Sequence, residues 1–268
     1  MRPVGPLAVG ILLLCAGSQT LRPATADASQ RVTLQTTFSP NRLGEPTTIE
    51  FGFHVLSTTA GQVPSPVTDV ALDLPAGLGS ATSTLGLAQC QSAALLERGL
   101  EGCRANARVG IGFALGEVAV DGEILTETAS VHALLGPSVG GNEQILFYLD
   151  ANEPVSAQLV FPGQILPPLS PGFGGRLDTT IPLVPTWHSG PDIAVTSFSS
   201  TLGPRGLIYF KHVHGKIVPF RPRGISVPPR CPRGGFPFAA SFAFLDGTRA
   251  SASSSVACPR LKSSTLSG

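Results

Sequence analysis

The stretch from Cys231 to Cys258 places the tightest limits on how this chain can fold. Phe236, Phe238, Phe242 and Phe244 share one parity with Ala240, and Asp246-Gly247 follows them. Successive side chains of an extended strand point to opposite faces, so these residues line one apolar face, and Asp-Gly is a turn dipeptide. The spacing predicts a β-hairpin with a buried Phe face, its two ends within reach of a disulfide.

That disulfide requires an oxidising compartment, and the N-terminus points to one. Met1-Arg2, an apolar run from Val4 to Ala16, and Ala24-Thr25-Ala26-Asp27-Ala28 form the three parts of a secretory signal peptide, cut after Ala26 or Ala28. The run is shorter than the ~20 apolar residues that span a bilayer, and Pro6 and Gly10 interrupt it. Leu14 stands where a lipidated bacterial cysteine is preceded by a small residue, so Cys15 belongs to the leader. No second long apolar run follows, so an exported chain without a transmembrane segment is expected. Its four cysteines, Cys90, Cys103, Cys231 and Cys258, read as two disulfides. Three connectivities are open, and sequential pairing is the simplest because each bond then closes a local loop. On a loop-entropy estimate the two closures stabilise by about 3 and about 3.6 kcal/mol. No pair has the CxxC spacing of a zinc site.

Short apolar segments recur between Gly and Pro punctuation. Val32 to Phe38 alternates; Ile49, Phe51, Phe53 and Val55 share a face; Val70, Leu72 and Leu74 alternate with Asp69, Ala71 and Asp73. This is the pattern of half-buried antiparallel strands. Further strands are expected at 108–120, 124–135, 145–149, 155–161, 179–184, 193–202, 207–214 and 216–220. The exception is 85–103, where Leu87, Leu95, Leu96 and Leu100 among Ala, Gln and Glu suit a short helix that Cys90 and Cys103 would staple. About a dozen strands in a chain with 25 Pro and 31 Gly predict an all-β fold, an antiparallel β-sandwich of immunoglobulin-like type with two packed β halves. The expected layout is a signal peptide at 1–28, a β half at 29–161 carrying the helical insertion, a Pro/Gly-rich loop or linker at 162–176, a second half at 177–262 ending in the hairpin, and a disordered tail at 263–268.

The order Ser39-Pro-Asn-Arg-Leu-Gly44, Leu74-Pro-Ala-Gly-Leu78, two cysteines flanking a short helix, Ile181-Pro-Leu-Val-Pro185 and Cys231-Pro-Arg-Gly-Gly-Phe-Pro-Phe238 resembles a group of secreted actinobacterial proteins. The resemblance spans the mature chain and carries no assigned activity. It implies export and a bacterial source, and it transfers no site residues.

Catalytic patterns are weak. There is no G-x-S-x-G elbow, and neither cysteine pair reads as a free thiol. His188, Ser189 and Asp192 lie close in sequence, but triads are assembled in space and this segment reads as a turn. His212 and His214 flank Val213, so on a strand both imidazoles would face one side, where His188 or His54 could join them as a weak candidate metal site. Glu117, Asp121, Glu123 and Glu127 fall within one hairpin, without a spacing that marks a glycosidase pair. The amphipathic aromatics open to sugar stacking are Trp187, Tyr148 and Tyr209, and the 14 Phe are expected in the core.

Charge is the clearest asymmetry. Residues 1–203 hold 8 arginines against 16 carboxylates, whereas residues 204–268 hold 10 Lys or Arg against Asp246 alone. Arg221, Arg223, Arg230 and Arg233 are spaced along a Pro-rich stretch. They suit either an anionic partner, such as an envelope polymer or lipid headgroups, or docking on the acidic half of the same chain or of another copy. Nucleic acid is not expected for an exported chain lacking a binding module. These readings converge on a secreted, non-catalytic structural or binding protein without a cofactor. The alternative is an exported hydrolase or metal-dependent enzyme built around His188, His212 and His214.

Overall fold

The computed structural model describes residues 30–80, 88–153, 156–187 and 190–259. The expected signal peptide with Cys15, His188 and the expected tail at 263–268 lie outside them. The secondary structure is almost wholly antiparallel β. The strands are β1 (Gln30–Ser39), β2 (Pro46–Ser57), β3 (Val67–Pro75), β4 (Gly79–Ser80), β5 (Arg108–Val120), β6 (Glu123–Leu135), β7 (Glu143–Glu153) and β8 (Ala157–Leu166). They continue with β9 (Phe173–Thr180), β10 (Ala194–Leu202), β11 (Tyr209–Val213), β12 (Lys216–Phe220), β13 (Ile225–Ser226), β14 (Phe236–Phe244) and β15 (Arg249–Val256). The one α-helix among the described residues, α1 (Ser92–Arg98), runs into a 3-10 turn at Gly99–Gly102.

The expected immunoglobulin-like pair of sheets is replaced by one continuous sheet. Its neighbours run β1-β2-β10-β5-β6-β7-β8-β9-β3-β14-β15, every pair antiparallel. β15 then lies alongside β1, so the eleven strands curl into a barrel-like sheet. With an odd number of strands, ten antiparallel pairings leave the first and last pointing the same way. The seam is accordingly parallel, and side chains bind it. Thr248 Oγ1 donates to Gln30 Oε1 (2.6 Å), Thr36 Oγ1 to Ser254 Oγ (3.0 Å) and Asn41 Nδ2 to the Ala257 carbonyl (2.8 Å), the residue numbers rising together along both strands.

The barrel has no domain boundary at 162–176. Pro162 and Gly163 lie inside β8, and the only loop there is 167–172, which turns β8 into its partner β9. β3, from the first half, is inserted between β9 and β14 of the second, so the two expected halves are interleaved.

Alternation drives closure because each strand sends one face inward. A chain of rings crosses the interior from Phe242 on β14 through Phe53, Phe198 and Phe147 to Phe161 on β8, with centroids 5.0–6.0 Å apart. These side chains fill the lumen, and the void among them is ≈ 30 Å³. Ligand pockets usually measure about 300–1,000 Å³, so this barrel is packed rather than hollow. The outward residues of β1 and β2 include Arg31, Thr33, Gln35, Thr37, Glu50 and His54. That is the inverse of the lipid-facing apolar band on a membrane-spanning barrel.

Two covalent staples match sequential pairing, Cys90–Cys103 and Cys231–Cys258. The first encloses α1, with Cys90 just ahead of the helix rather than on its first turn. Leu95 and Cys90 pack against Leu134, Leu146 and Tyr148, so the stapled element covers the outside of β6 and β7.

Truncating Phe242→Ala should lower the unfolding free energy by about 3–5 kcal/mol in urea melts. Gly112→Ala should also destabilise, because an added Cβ would meet the Ser199 carbonyl oxygen at 1.9 Å. Phe113→Ala, at an exposed position, should change stability by no more than about 0.5 kcal/mol. Non-reducing peptide mapping should recover Cys231 with Cys258 and Cys90 with Cys103.

Candidate functional site

The chain leaves the barrel after Leu202 and re-enters it at Phe236. Between them it builds β11–β12, a two-stranded ribbon separate from the main sheet, and the short β13. Its root is firmly held. Tyr209 is fully buried and donates its hydroxyl to the Arg108 carbonyl (2.6 Å), while the Asn106 side chain both donates to the Phe210 carbonyl (2.6 Å) and accepts its N–H (3.0 Å). Burial raises the Tyr209 phenol to about 12, with Arg108 opposing. Phe220 packs on Tyr209 with centroids 6.0 Å apart, and Lys211 Nζ lies 5.4 Å from the Phe220 ring centre.

Beyond that root the ribbon is exposed on both faces. His214 and Gly215 form its turn with φ of 49° and 77°, as a two-residue turn of this twist requires. β11 therefore ends at Val213, and the alternation that would align His212 with His214 stops before it reaches His214. Phe210 sits opposite Pro219 and His212 opposite Ile217, so these four share a face that Ile208 extends. Ile208, Phe210 and Ile217 are 67%, 45% and 64% exposed.

After the ribbon, Pro222, Ile225, Val227 and Pro228 are buried, and Val227 N–H donates to the Glu45 carbonyl (3.0 Å). The intervening Arg221 and Arg223, and then Arg230 and Arg233, are exposed. Among the described residues these four arginines make no ion pair; the salt bridges are Arg176–Asp178 and Arg205–Glu50. Of the basic segment, Arg205 does reach the acidic half, through Glu50; among the described residues the four arginines do not. From residue 204 to 233 there are seven Lys or Arg and no carboxylate.

The other candidates disperse. His54 lies on the outer face of β2, His132 on that of β6, and His212 and His214 on the ribbon. No group of three His, Cys, Asp or Glu side chains among the described residues could hold a metal ion. Glu127 is buried inside one end of the barrel, whereas Asp121 and Glu123 sit at the exposed tip of the β5–β6 hairpin. Tyr148, like Tyr209, is buried, leaving Trp187 as the exposed aromatic of those three. Sequence reasoning missed Phe113 and Phe210, which are exposed although most Phe residues are core.

A groove of ≈ 430 Å³ crosses the outside of β1, β2, β10 and β5, where Gly52 and Gly112 carry no side chain. Several of its polar groups are engaged within the protein. Thr201 Oγ1 donates to the Ile111 carbonyl (3.1 Å), Ser199 Oγ to that of Phe113 (3.4 Å), and Glu50 pairs with Arg205 at the rim. Apart from Arg205, which pairs with Glu50, and Lys211, which lies over the Phe220 ring, the cations of the excursion have no ion pair or ring contact among the described residues, and Ile208, Phe210 and Ile217 are exposed.

Beside the stapled helix, His132 stacks on Tyr148 at 6.3 Å, and its Nδ1 is buried without a hydrogen-bond partner. Burial holds the imidazole below its ordinary value of 6.5; Arg108 pushes the same way and Asp150 opposes. The folded protein therefore prefers the neutral ring, and the unfolded chain takes up the proton first on acidification. This contribution is complete above pH 6.5 and is lost as pH falls toward the folded-state value. His132→Gln should flatten the loss of stability below pH 6.5, read as the change in urea midpoint with pH.

The fold and its exposed segment define a disulfide-stapled, filled antiparallel barrel bearing a cationic, partly apolar excursion. No protein-family model, curated protein or solved structure matches the chain.

Proposed function

We propose that this protein is an exported, non-catalytic binding protein that uses its 204–233 excursion to contact an anionic surface of the bacterial envelope. The observation that carries the reading is seven cations without a carboxylate in 30 successive residues, with Arg221, Arg223, Arg230 and Arg233 exposed and unpaired among the described residues. Arginine forks match phosphate and carboxylate bidentately, and a one-signed patch raises the local concentration of a polyanion. The signal-peptide pattern, the two disulfides and the resemblance to secreted actinobacterial proteins support the location. No helix among the described residues is long and apolar enough to cross a membrane.

The test is retention of the mature protein on purified bacterial envelope. The expected result is enrichment over a charge-matched control protein, weakening as salt is added, with most retention lost when Arg221, Arg223, Arg230 and Arg233 are all changed to Gln. Equal retention of wild type and control would refute the reading.

A further inference from the structure

We infer that the β11–β12 ribbon is a membrane-interface element that seats Ile208, Phe210 and Ile217 among the headgroups of an anionic phospholipid bilayer. This rests on the envelope-binding reading and adds its target. Charge alone would serve for a hydrated polyanion, and such a polymer offers nothing to three large apolar side chains. Those side chains lie on one face of a ribbon that has left the barrel, and two of them are about two-thirds exposed. Water around them is a standing cost that partition into a bilayer interface removes.

Charge complementarity selects the kind of bilayer. Lys211 and Lys216 belong to the opposite face of the ribbon, and Arg221 and Arg223 follow its last strand. A ribbon is a single layer thick, and long cationic side chains reach around apolar surface to keep their heads at the headgroup level. An anionic leaflet attracts such cations within a Debye length, about 8 Å at physiological salt. The excursion contains no carboxylate to oppose this attraction. Construction of the root fits the same purpose. Tyr209 and Asn106 fix the base of the ribbon to the strand β5 region, so the apolar face is presented rigidly and little order has to be imposed on docking.

The experiment is co-sedimentation of the mature protein with phosphatidylcholine vesicles, with and without phosphatidylglycerol. Binding is expected to the anionic vesicles and to be weak on neutral ones. Phe210→Ser and Ile217→Ser should each weaken partition about fivefold to tenfold, while Arg221→Gln and Arg223→Gln should each cost about fivefold and reduce the salt dependence. All four positions are exposed, so unchanged urea midpoints would show that the fold is intact.

If the arginine variants lose binding and the serine variants do not, the contact is one of charge alone; the envelope reading then stands and the insertion is refuted. Should wild type bind envelope polymer but no vesicle, the same conclusion holds. A dimer in sedimentation that Phe210→Ser dissolves, without vesicle binding, would assign the apolar face to a second copy and overturn the inference. Absence of binding to both vesicles and envelope would remove both readings.

Discussion

Burial of alternate side chains inside a closed ring is the constraint on which the other features depend. Eleven strands each turn one face inward, and the rings of Phe242, Phe53, Phe198, Phe147 and Phe161 meet across the lumen. Closure also protects the two terminal strands, whose unpaired edges would otherwise invite association with other chains. Because the strand number is odd, this last contact is parallel, and Gln30, Thr36 and Asn41 join it to β15 through side chains. The Cys231–Cys258 bond holds the end of β15 to the entry of β14, so the seam strand is tied at the point where fraying would start. A loop of that length limits the unfolded chain by about 3.6 kcal/mol on the entropic estimate.

The middle of the lumen is filled by side chains, and among the described residues two elements are attached outside the barrel; they differ in kind. The Cys90–Cys103 element turns Leu95 and Cys90 down onto Leu134, Leu146 and Tyr148 and is thereby part of the packing. The excursion between β10 and β14 buries its anchors, among them Tyr209, Pro222, Ile225, Val227 and Pro228, and leaves its cations and the Ile208, Phe210 and Ile217 face in solvent. Six of its seven cations, all but Arg205, have no ion pair among the described residues, and they repel one another. Holding them together costs free energy, which an anionic partner offsets.

Much of the local structure was legible in the residues. The parity of Phe236, Phe238, Phe242 and Phe244 identified a buried face, Asp246-Gly247 identified a turn, and Leu87, Leu95, Leu96 and Leu100 pointed to a short helix, found at Ser92–Arg98; each signal acts over a few residues. The 162–176 stretch misled because Pro and Gly content reads as a linker, while Pro162 and Gly163 are accommodated within β8 in the barrel wall. His212 and His214 seemed to share a face because a period of two was extended through a turn that Gly215 makes possible.

The sequence by itself determined that the chain is antiparallel β, that four cysteines are available as staples, and that positive charge gathers toward the C-terminus. These are matters of period, composition and local spacing. Only the tertiary structure decided that the strands form one barrel-like sheet, that β3 separates β9 from β14, that the four arginines make no ion pair among the described residues, and that Phe210 is exposed while Phe242 is buried. The physical reason is that alternation tells which faces must be hidden from water, whereas the partner that hides each face is set by pairings between strands far apart in the chain. Phe210 and Phe242 carry the same side chain, and their different fates follow from the ribbon lying outside the ring and β14 within it.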